Sequence, residues 1–267
     1  MDKQSLGLYI HIPYCIHKCG YCDFNSHPIK RDEIDAYVDA LIVELNYYAQ
    51  KYSSGRIVNT IFLGGGTPTT LSVSQLERIL KECEKKFKIK TEAEITIEAN
   101  PATICTDQLK SIRQTGYNRI SVGVQSFDEA ELRILDRAHG AKEIHCTVDR
   151  AREAGFNNLS LDLMFAIPNQ TLENWENNLR QALDKSPEHL STYNLTIEKG
   201  TTFWKLQSNG KLTMPDSDHQ LELYKRTIEL LKKNGFHHYE ISNFSRPGKE
   251  CRHNITYWQN TNTLGLG

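Results

Sequence analysis

The sequence predicts an α/β protein, a partial TIM-type (β/α)6 barrel with parallel strands. Three observations lead there. Segments that read as strands and as helices alternate strictly to about residue 235, and such alternation implies a parallel sheet crossed by helices. The strand segments are mostly apolar runs, as expected when helices cover a sheet. The polar clusters before residue 200 fall at the C-terminal ends of strand segments, where barrels carry their chemistry. An open doubly wound sheet is the competing architecture. The first strand-to-helix loop, however, lacks G-x-G-x-x-G, and no G-K-[ST] follows the glycine run.

The elements follow in order. Residues 6–12 read as a strand, and a cysteine-rich loop comes next. Ile34, Tyr37, Val38, Leu41, Ile42 and Leu45 recur at helical spacing and predict a helix over 32–48. Residues 58–63 form a second strand ending on Gly64-Gly65-Gly66-Thr67-Pro68. Ser74 with Glu77 three residues on gives a capping-box pattern for a helix to about Phe87. Residues 94–98 are a third strand, and 106–114 a helix that Gly116 terminates. Strand four covers 119–124, with helices over 128–135 and 141–153. Strand five covers 159–164, a helix 171–183, strand six 190–197, and a long helix 218–233.

From Phe236 the pattern turns polar and aromatic. We therefore expect a barrel over 1–235 and an extension over 236–267. The final Leu264-Gly-Leu-Gly reads as the middle of an element, so the chain is expected to be shortened.

Composition narrows the function. With 39% hydrophobic and 24% charged residues, the chain is ordinary for a globular protein. A net charge of −1 supplies no global field toward nucleic acid or anionic lipid. No apolar run is long enough for a membrane span. The N-terminus carries no secretory pattern, and a cytoplasmic location is expected. Three of seven cysteines crowd into eight positions, which favours a metal site over disulfides.

Those three are Cys15, Cys19 and Cys22, spaced C-x3-C-x2-C after the first strand. A [4Fe–4S] cluster normally takes four thiolates. Three leave one iron open to a small chelating ligand. Structural zinc is the alternative, with His11, His17 or His27 as the fourth ligand, but only one C-x2-C knuckle is present. Tyr14, Tyr21 and Phe24 are placed to shield a cluster from water. The glycine run permits positive φ and close approach, and its free N–H and C=O groups suit an amino-acid ammonium and carboxylate. A tight turn is the plain alternative. Glu98, Gln125, Arg137 and Asp162 lie at or after successive strand ends. There a carboxylate can accept from a ribose diol and an Arg can pair with a ligand carboxylate, each worth about 1.5–3 kcal/mol. A salt-bridged barrel mouth is the alternative for each residue alone. His253-Asn254-Ile-Thr-Tyr257-Trp258 combines a haem-ligating residue type with two aromatics; a hydrogen-bonded His in an aromatic corner is equally compatible. Cys251 is a weaker candidate. Cys83, Cys105 and Cys146 read as buried or inert, His237 and His238 as surface or core residues.

With these residues in hand, the chain resembles the radical S-adenosylmethionine proteins, and among them the oxygen-independent coproporphyrinogen III oxidase-like family. The resemblance runs through Tyr9-Ile-His-Ile-Pro-Tyr-Cys, Cys-Gly-Tyr-Cys-Asp-Phe, Gly-Gly-Gly-Thr-Pro-Thr, Ile97-Glu98-Ala-Asn-Pro, Gly123-Val-Gln-Ser-Phe, Asp162-Leu-Met and Ile167-Pro. It implies a [4Fe–4S] cluster on Cys15, Cys19 and Cys22 whose open iron is chelated by S-adenosylmethionine. An electron from the cluster then cleaves the sulfonium C–S bond, giving methionine and a 5′-deoxyadenosyl radical. It also implies that Tyr9, Gly65, Gly66, Thr67, Glu98, Gln125, Arg137 and Asp162 match positions contacting S-adenosylmethionine, of which the oxidases hold a second molecule. The oxidases have a further Cys where this chain has Phe24. That departure and the His253 motif resemble the haem chaperone branch, whose members carry a C-terminal domain after the barrel. The branch implies bound haem at His253, with Tyr257 and Trp258 in its pocket, a haem-acceptor protein and an electron donor. Peripheral contact with a membrane acceptor fits this. Oxidative decarboxylation of coproporphyrinogen propionates and a zinc-stabilised binding module are the competing functions.

Overall fold

A computed structural model describes residues 4–30 and 32–267. Strand β1 (Ser5–Ile12) leads into a two-residue ladder of β2 (Tyr14–Cys15) and β3 (His27–Pro28). Then come α1 (Ile34–Tyr52), β4 (Ile57–Gly65), α2 (Val73–Lys86), β5 (Lys88–Ala99), α3 (Thr106–Gln114) and β6 (Arg119–Gln125). Helices α4 (Glu129–Ile134) and α5 (Ala141–Glu153) precede β7 (Leu159–Phe165), α6 (Leu172–Asp184) and β8 (His189–Asn194). The chain continues through α7 (Thr202–Ser208), α8 (Ser217–Lys233), β9 (His237–His238), β10 (Asn243–Ser245), α9 (Arg252–Trp258) and β11 (Asn262–Leu266).

The large sheet runs β11-β1-β4-β5-β6-β7-β8-β10-β9. Its six consecutive β/α strands are parallel, which is the partial barrel the alternation predicts. Residues 236–267 supply both flanks: β10 pairs antiparallel with β8, and β11 parallel with β1. The helices cover the outside because their apolar residues recur once per turn. In α1 these are Ile34, Val38, Leu41, Leu45 and Ala49, all buried. They join the alternate strand residues Leu8, Ile10, Val58, Ile61, Ile97, Val122 and Leu161 in one core.

The other strand face makes the protein's chemistry. Tyr9, Phe62, Glu98, Arg119, Ser121, Asp162, Ser191 and Tyr193 alternate with those core residues and line internal space. Barrels of this kind are usually filled by branched apolar side chains; this interior is polar.

Several expected boundaries move: β5 begins at Lys88 rather than 94, and α1 runs on to Tyr52 rather than 48. The capping box is Ser72 with Gln75, not Ser74 with Glu77: Ser72 Oγ accepts from Gln75 N–H, and Gln75 Oε1 accepts from Ser72 N–H. The sixth parallel strand ends at Asn194 rather than 197, where it reaches the barrel rim.

Candidate active site at the barrel mouth and helix floor

The cysteine loop is closed before any metal is considered. β2 and β3 bring its ends together, and Ile29 N–H donates to the Cys15 carbonyl at 2.8 Å. Lys18 Nζ crosses the loop to the Phe24 and Ser26 carbonyls at 2.9 and 2.8 Å. From outside, Phe203 N–H donates to the Gly20 carbonyl at 2.9 Å. A Cβ on Gly20 would meet the Phe203 ring at 3.0 Å. The thiols of Cys15, Cys19 and Cys22 are free and half-buried. Burial pushes the Cys22 thiol up. Of the aromatics expected to shield a cluster, Tyr14 is buried and Tyr21 half-buried, while Phe24 is 63% exposed at the rim of the cavity that the cysteines line. The histidines of the zinc alternative are engaged elsewhere. His11 meets the Asn25 carbonyl, His17 the Asp136 carboxylate, and His27 the Pro28 carbonyl. Among the described residues no three His, Cys, Asp or Glu side chains close around a single ion.

The glycine run packs against this loop. Gly66 N–H donates to the Ile12 carbonyl and Thr67 N–H to the Tyr14 carbonyl, both at 2.7 Å. Gly65 N–H donates to Glu98 Oε2 at 3.2 Å. These N–H groups are therefore committed to protein acceptors, not free for a ligand as the sequence suggests. The glycines serve approach instead. Gly65 has φ of 111°, and a Cβ on Gly66 would lie 2.6 Å from the Tyr14 carbonyl oxygen.

Above the run is a cavity of about 360 Å³, inside the range of roughly 300–1,000 Å³ for sites that hold small molecules. Cys15, Cys19 and Cys22 line it together with Gly65, Gly66, Thr67, Glu98, Gln125, Arg137 and Asp162. Tyr9 is the exception, one layer deeper in a second cavity. Burial, then the Asp162 charge, raises the Glu98 carboxyl to about 8, so it is mostly protonated at neutral pH. Asp162 is also raised by burial, while the Ser191, Ser121 and Ser160 hydroxyls favour its charged form. Gln125 has φ of 65°, an uncommon conformation for a non-glycine residue, at a register shift in β6. Arg137 Nη2 donates to the Gly123 carbonyl at 2.9 Å, and Nη1 reaches Cys19 Sγ and Tyr21 Oη at 3.4 Å each. Its Nε is buried without a partner. An orphaned guanidinium N–H, a close-packed glycine wall and three thiols lining one cavity fit a cysteine-held cluster with a carboxylate-bearing ligand.

The second cavity, about 180 Å³, lies deeper and shares Glu98, Ser121, Asp162 and Tyr193 with the first. Helix α9 contributes His253, Asn254 and Tyr257 to its lining, and Cys251 just before it joins them. Glu94, which sequence reasoning missed, holds that helix. Its carboxylate accepts from Arg252 N–H at 3.2 Å, His253 N–H at 3.1 Å and the Cys251 thiol at 3.7 Å. A residue signal existed, because Glu94, Thr96 and Glu98 alternate with Ala93, Ile95 and Ile97. Arg119, also missed, is buried beside it with an unpartnered Nε.

His253 is 1% exposed. Its Nδ1 meets Thr60 Oγ1 at 2.9 Å and its Nε2 Tyr257 Oη at 3.1 Å. The ring stacks on Phe62, and burial, then the Arg119 charge, lowers it to about 4. Tyr257 and Trp258 are 51% and 57% exposed. The inner cavity falls below the size range for small-molecule sites, so a porphyrin is not enclosed there, and His253 as folded offers no open nitrogen. Cys251 is buried and pushed up to about 12 by burial, which suits a thiol and not a thiolate ligand. Cys83 is buried, Cys146 half-buried and Cys105 exposed. His238 stacks on Phe244 at 4.3 Å, and Tyr224 Oη meets its Nε2 at 3.4 Å.

The Radical SAM superfamily model matches residues 9–182. The heme chaperone HemW of Bacillus subtilis is 40% identical over 97% of this chain and 68% of its own length. The heme chaperone HemW of Escherichia coli is 41% identical over 98% of this chain and likewise 68% of its own. Among solved structures, coproporphyrinogen III oxidase (HemN) from Escherichia coli superposes with a TM-score of 0.85. It is 30% identical over 99% of this chain and 64% of that one. The chain thus spans about two thirds of these relatives.

Proposed function

Because this chain belongs to the radical SAM superfamily and, within it, to the haem chaperone HemW family, we propose that it binds haem for transfer to an acceptor protein. The reading takes Cys15, Cys19 and Cys22 as ligands of a [4Fe–4S] cluster. It takes Gly65, Gly66, Thr67, Glu98, Gln125, Arg137 and Asp162 as the wall that seats S-adenosylmethionine, with Tyr9 in the inner cavity that Glu98 also lines. When bound, the cluster supplies the electron for reductive cleavage of the sulfonium. The protein's own part is positional. Arg137 Nε is free to pair with a carboxylate. Neutral Glu98 can donate to a ribose hydroxyl where a charged one could only accept. The polar wall and the closed loop fix the ligand against the cysteines.

The observation that carries the haem reading is helix α9, which leaves Tyr257 and Trp258 in solvent beside the buried His253. Haem ligation there requires the Tyr257 hydroxyl to leave Nε2. A cytoplasmic location and a separate electron donor complete the proposal; no helix among the described residues is long and apolar enough to cross a membrane. Titration of the anaerobically reconstituted chain with haem, followed by Soret absorption, tests it. Wild type should saturate and H253A should not. A wild type that takes up no haem rejects it.

The likeness to coproporphyrinogen III oxidase favours a second reading, oxidative decarboxylation of coproporphyrinogen. Phe24, exposed at the cavity rim, stands against it. Protoporphyrinogen formation in an anaerobic assay with reductant and S-adenosylmethionine would reverse the ranking.

A further inference from the structure

The three cysteine sulfurs meet different donors. Cys15 Sγ accepts from the neutral Thr67 hydroxyl at 3.7 Å. Cys22 is served inside its own loop, by the Phe24 backbone and the Ser26 hydroxyl. Lys18 acts on Cys22 through space alone, whereas among the described residues Cys19 is the cysteine of the three whose sulfur accepts from a charged donor, the Arg137 guanidinium at 3.4 Å. The contact is held from several sides. Nη2 is fixed on the Gly123 carbonyl at the end of β6, and Nη1 is shared with the Tyr21 hydroxyl of the same loop. The preceding residue, Asp136, takes a positive φ of 55° and accepts from His17 at 2.8 Å, midway between Cys15 and Cys19. Two adjacent residues of the connection between α4 and α5 thus grip the cysteine loop at two points. Among the described residues no carboxylate pairs with the guanidinium, so its charge is spent on the sulfur and on the cavity.

Hydrogen bonds to the sulfurs and the local charge set the reduction potential of an iron–sulfur cluster. Reduction adds one electron from the donor and makes the cluster more negative. A fixed cation donating to a ligand sulfur stabilises that reduced form. We infer that Arg137 tunes the cluster: through Cys19 Sγ it raises the reduction potential, a role separate from contact with S-adenosylmethionine. The inference rests on the reading of Cys15, Cys19 and Cys22 as cluster ligands.

The test is a redox titration of anaerobically reconstituted protein without S-adenosylmethionine. Dithionite is the reductant, and the electron paramagnetic resonance signal of the reduced cluster is followed. R137Q should hold the wild-type complement of iron and show a more negative midpoint. R137K, which keeps a charge but loses the planar fork, should fall between. T67V, which removes a neutral donor, should move the midpoint less than R137Q. An R137Q midpoint equal to wild type overturns the inference and leaves Arg137 a ligand-binding residue only. Should R137Q fail to retain iron, R137K decides. A midpoint below wild type supports the role, and one at or above wild type overturns it. A wild-type chain that takes up no cluster overturns both this inference and the reading beneath it.

Discussion

The Tyr257 hydroxyl occupies His253 Nε2 at 3.1 Å, while Thr60 holds the opposite nitrogen. The imidazole is thereby locked edge and face inside the barrel, neutral at physiological pH. A metal can reach it only by displacing one of these two hydroxyls, and Tyr257 is the one that faces solvent.

Removing that hydroxyl should therefore help haem. Y257F gives up one hydrogen bond worth about 1 kcal/mol, which corresponds to a roughly fivefold gain in affinity. Soret titration should show tighter binding for Y257F and none for H253A. Weaker binding by Y257F would mean that the hydroxyl itself contacts the haem.

Glu94 is the support behind this arrangement. E94A strands the first-turn N–H groups of α9 and should cost about 1–3 kcal/mol in urea unfolding. Haem affinity should fall as well, because His253 sits in that turn.

Glu98 gives the fold a pH signature. Its carboxyl titrates near 8 when folded, against an ordinary value of 4.5. Between those values the folded state holds a proton that the unfolded chain has lost. Stability contributed by this group therefore falls as pH rises from about 4.5 to about 8, and levels off above that. E98Q should lose this slope, so its stability relative to wild type should rise across the same window. Urea midpoints at pH 5, 6.5 and 8.5 provide the check.

Gly66 should tolerate no side chain. G66A drives a Cβ to 2.6 Å from the Tyr14 carbonyl and 2.9 Å from that of Ile12. Overpacking of this kind costs about 1–3 kcal/mol, and here it pushes directly on the cysteine loop. G66A should take up markedly less iron on reconstitution than G265A, whose added Cβ meets nothing within 4 Å.

Much of the architecture was legible because its signals are local. Helix α3 is bounded as expected, with Gly116 at φ of 117° just beyond its end, and α5 also begins and ends where its periodicity says. Where two local patterns compete, tertiary contact decides. Ser72-x-x-Gln75 and Ser74-x-x-Glu77 are both plausible caps, but Gln75 Nε2 also reaches Asp35 on α1. That the three cysteines, the glycine run and the strand-end residues would gather on one cavity was readable from spacing and resemblance. Helix α9 was not, because its brace is Glu94, more than 150 residues earlier. The commitment of the glycine-run N–H groups to residues 12–14 was equally hidden, since it depends on how two neighbouring strands end together.

The pairing of β11 with β1 has a consequence for biosynthesis. The strand that carries the cysteine loop is made well before its outer neighbour, residues 262–266. Until those are made, β1 presents an unpaired edge, the kind of surface that invites wrong strand partners. The loop between β1 and β4 thus stands on a half-built sheet while the segments between β1 and β11 are made. The order of assembly follows: cluster insertion into a finished barrel comes after β11 has closed that edge, and any earlier insertion must act on a nascent chain with an open side.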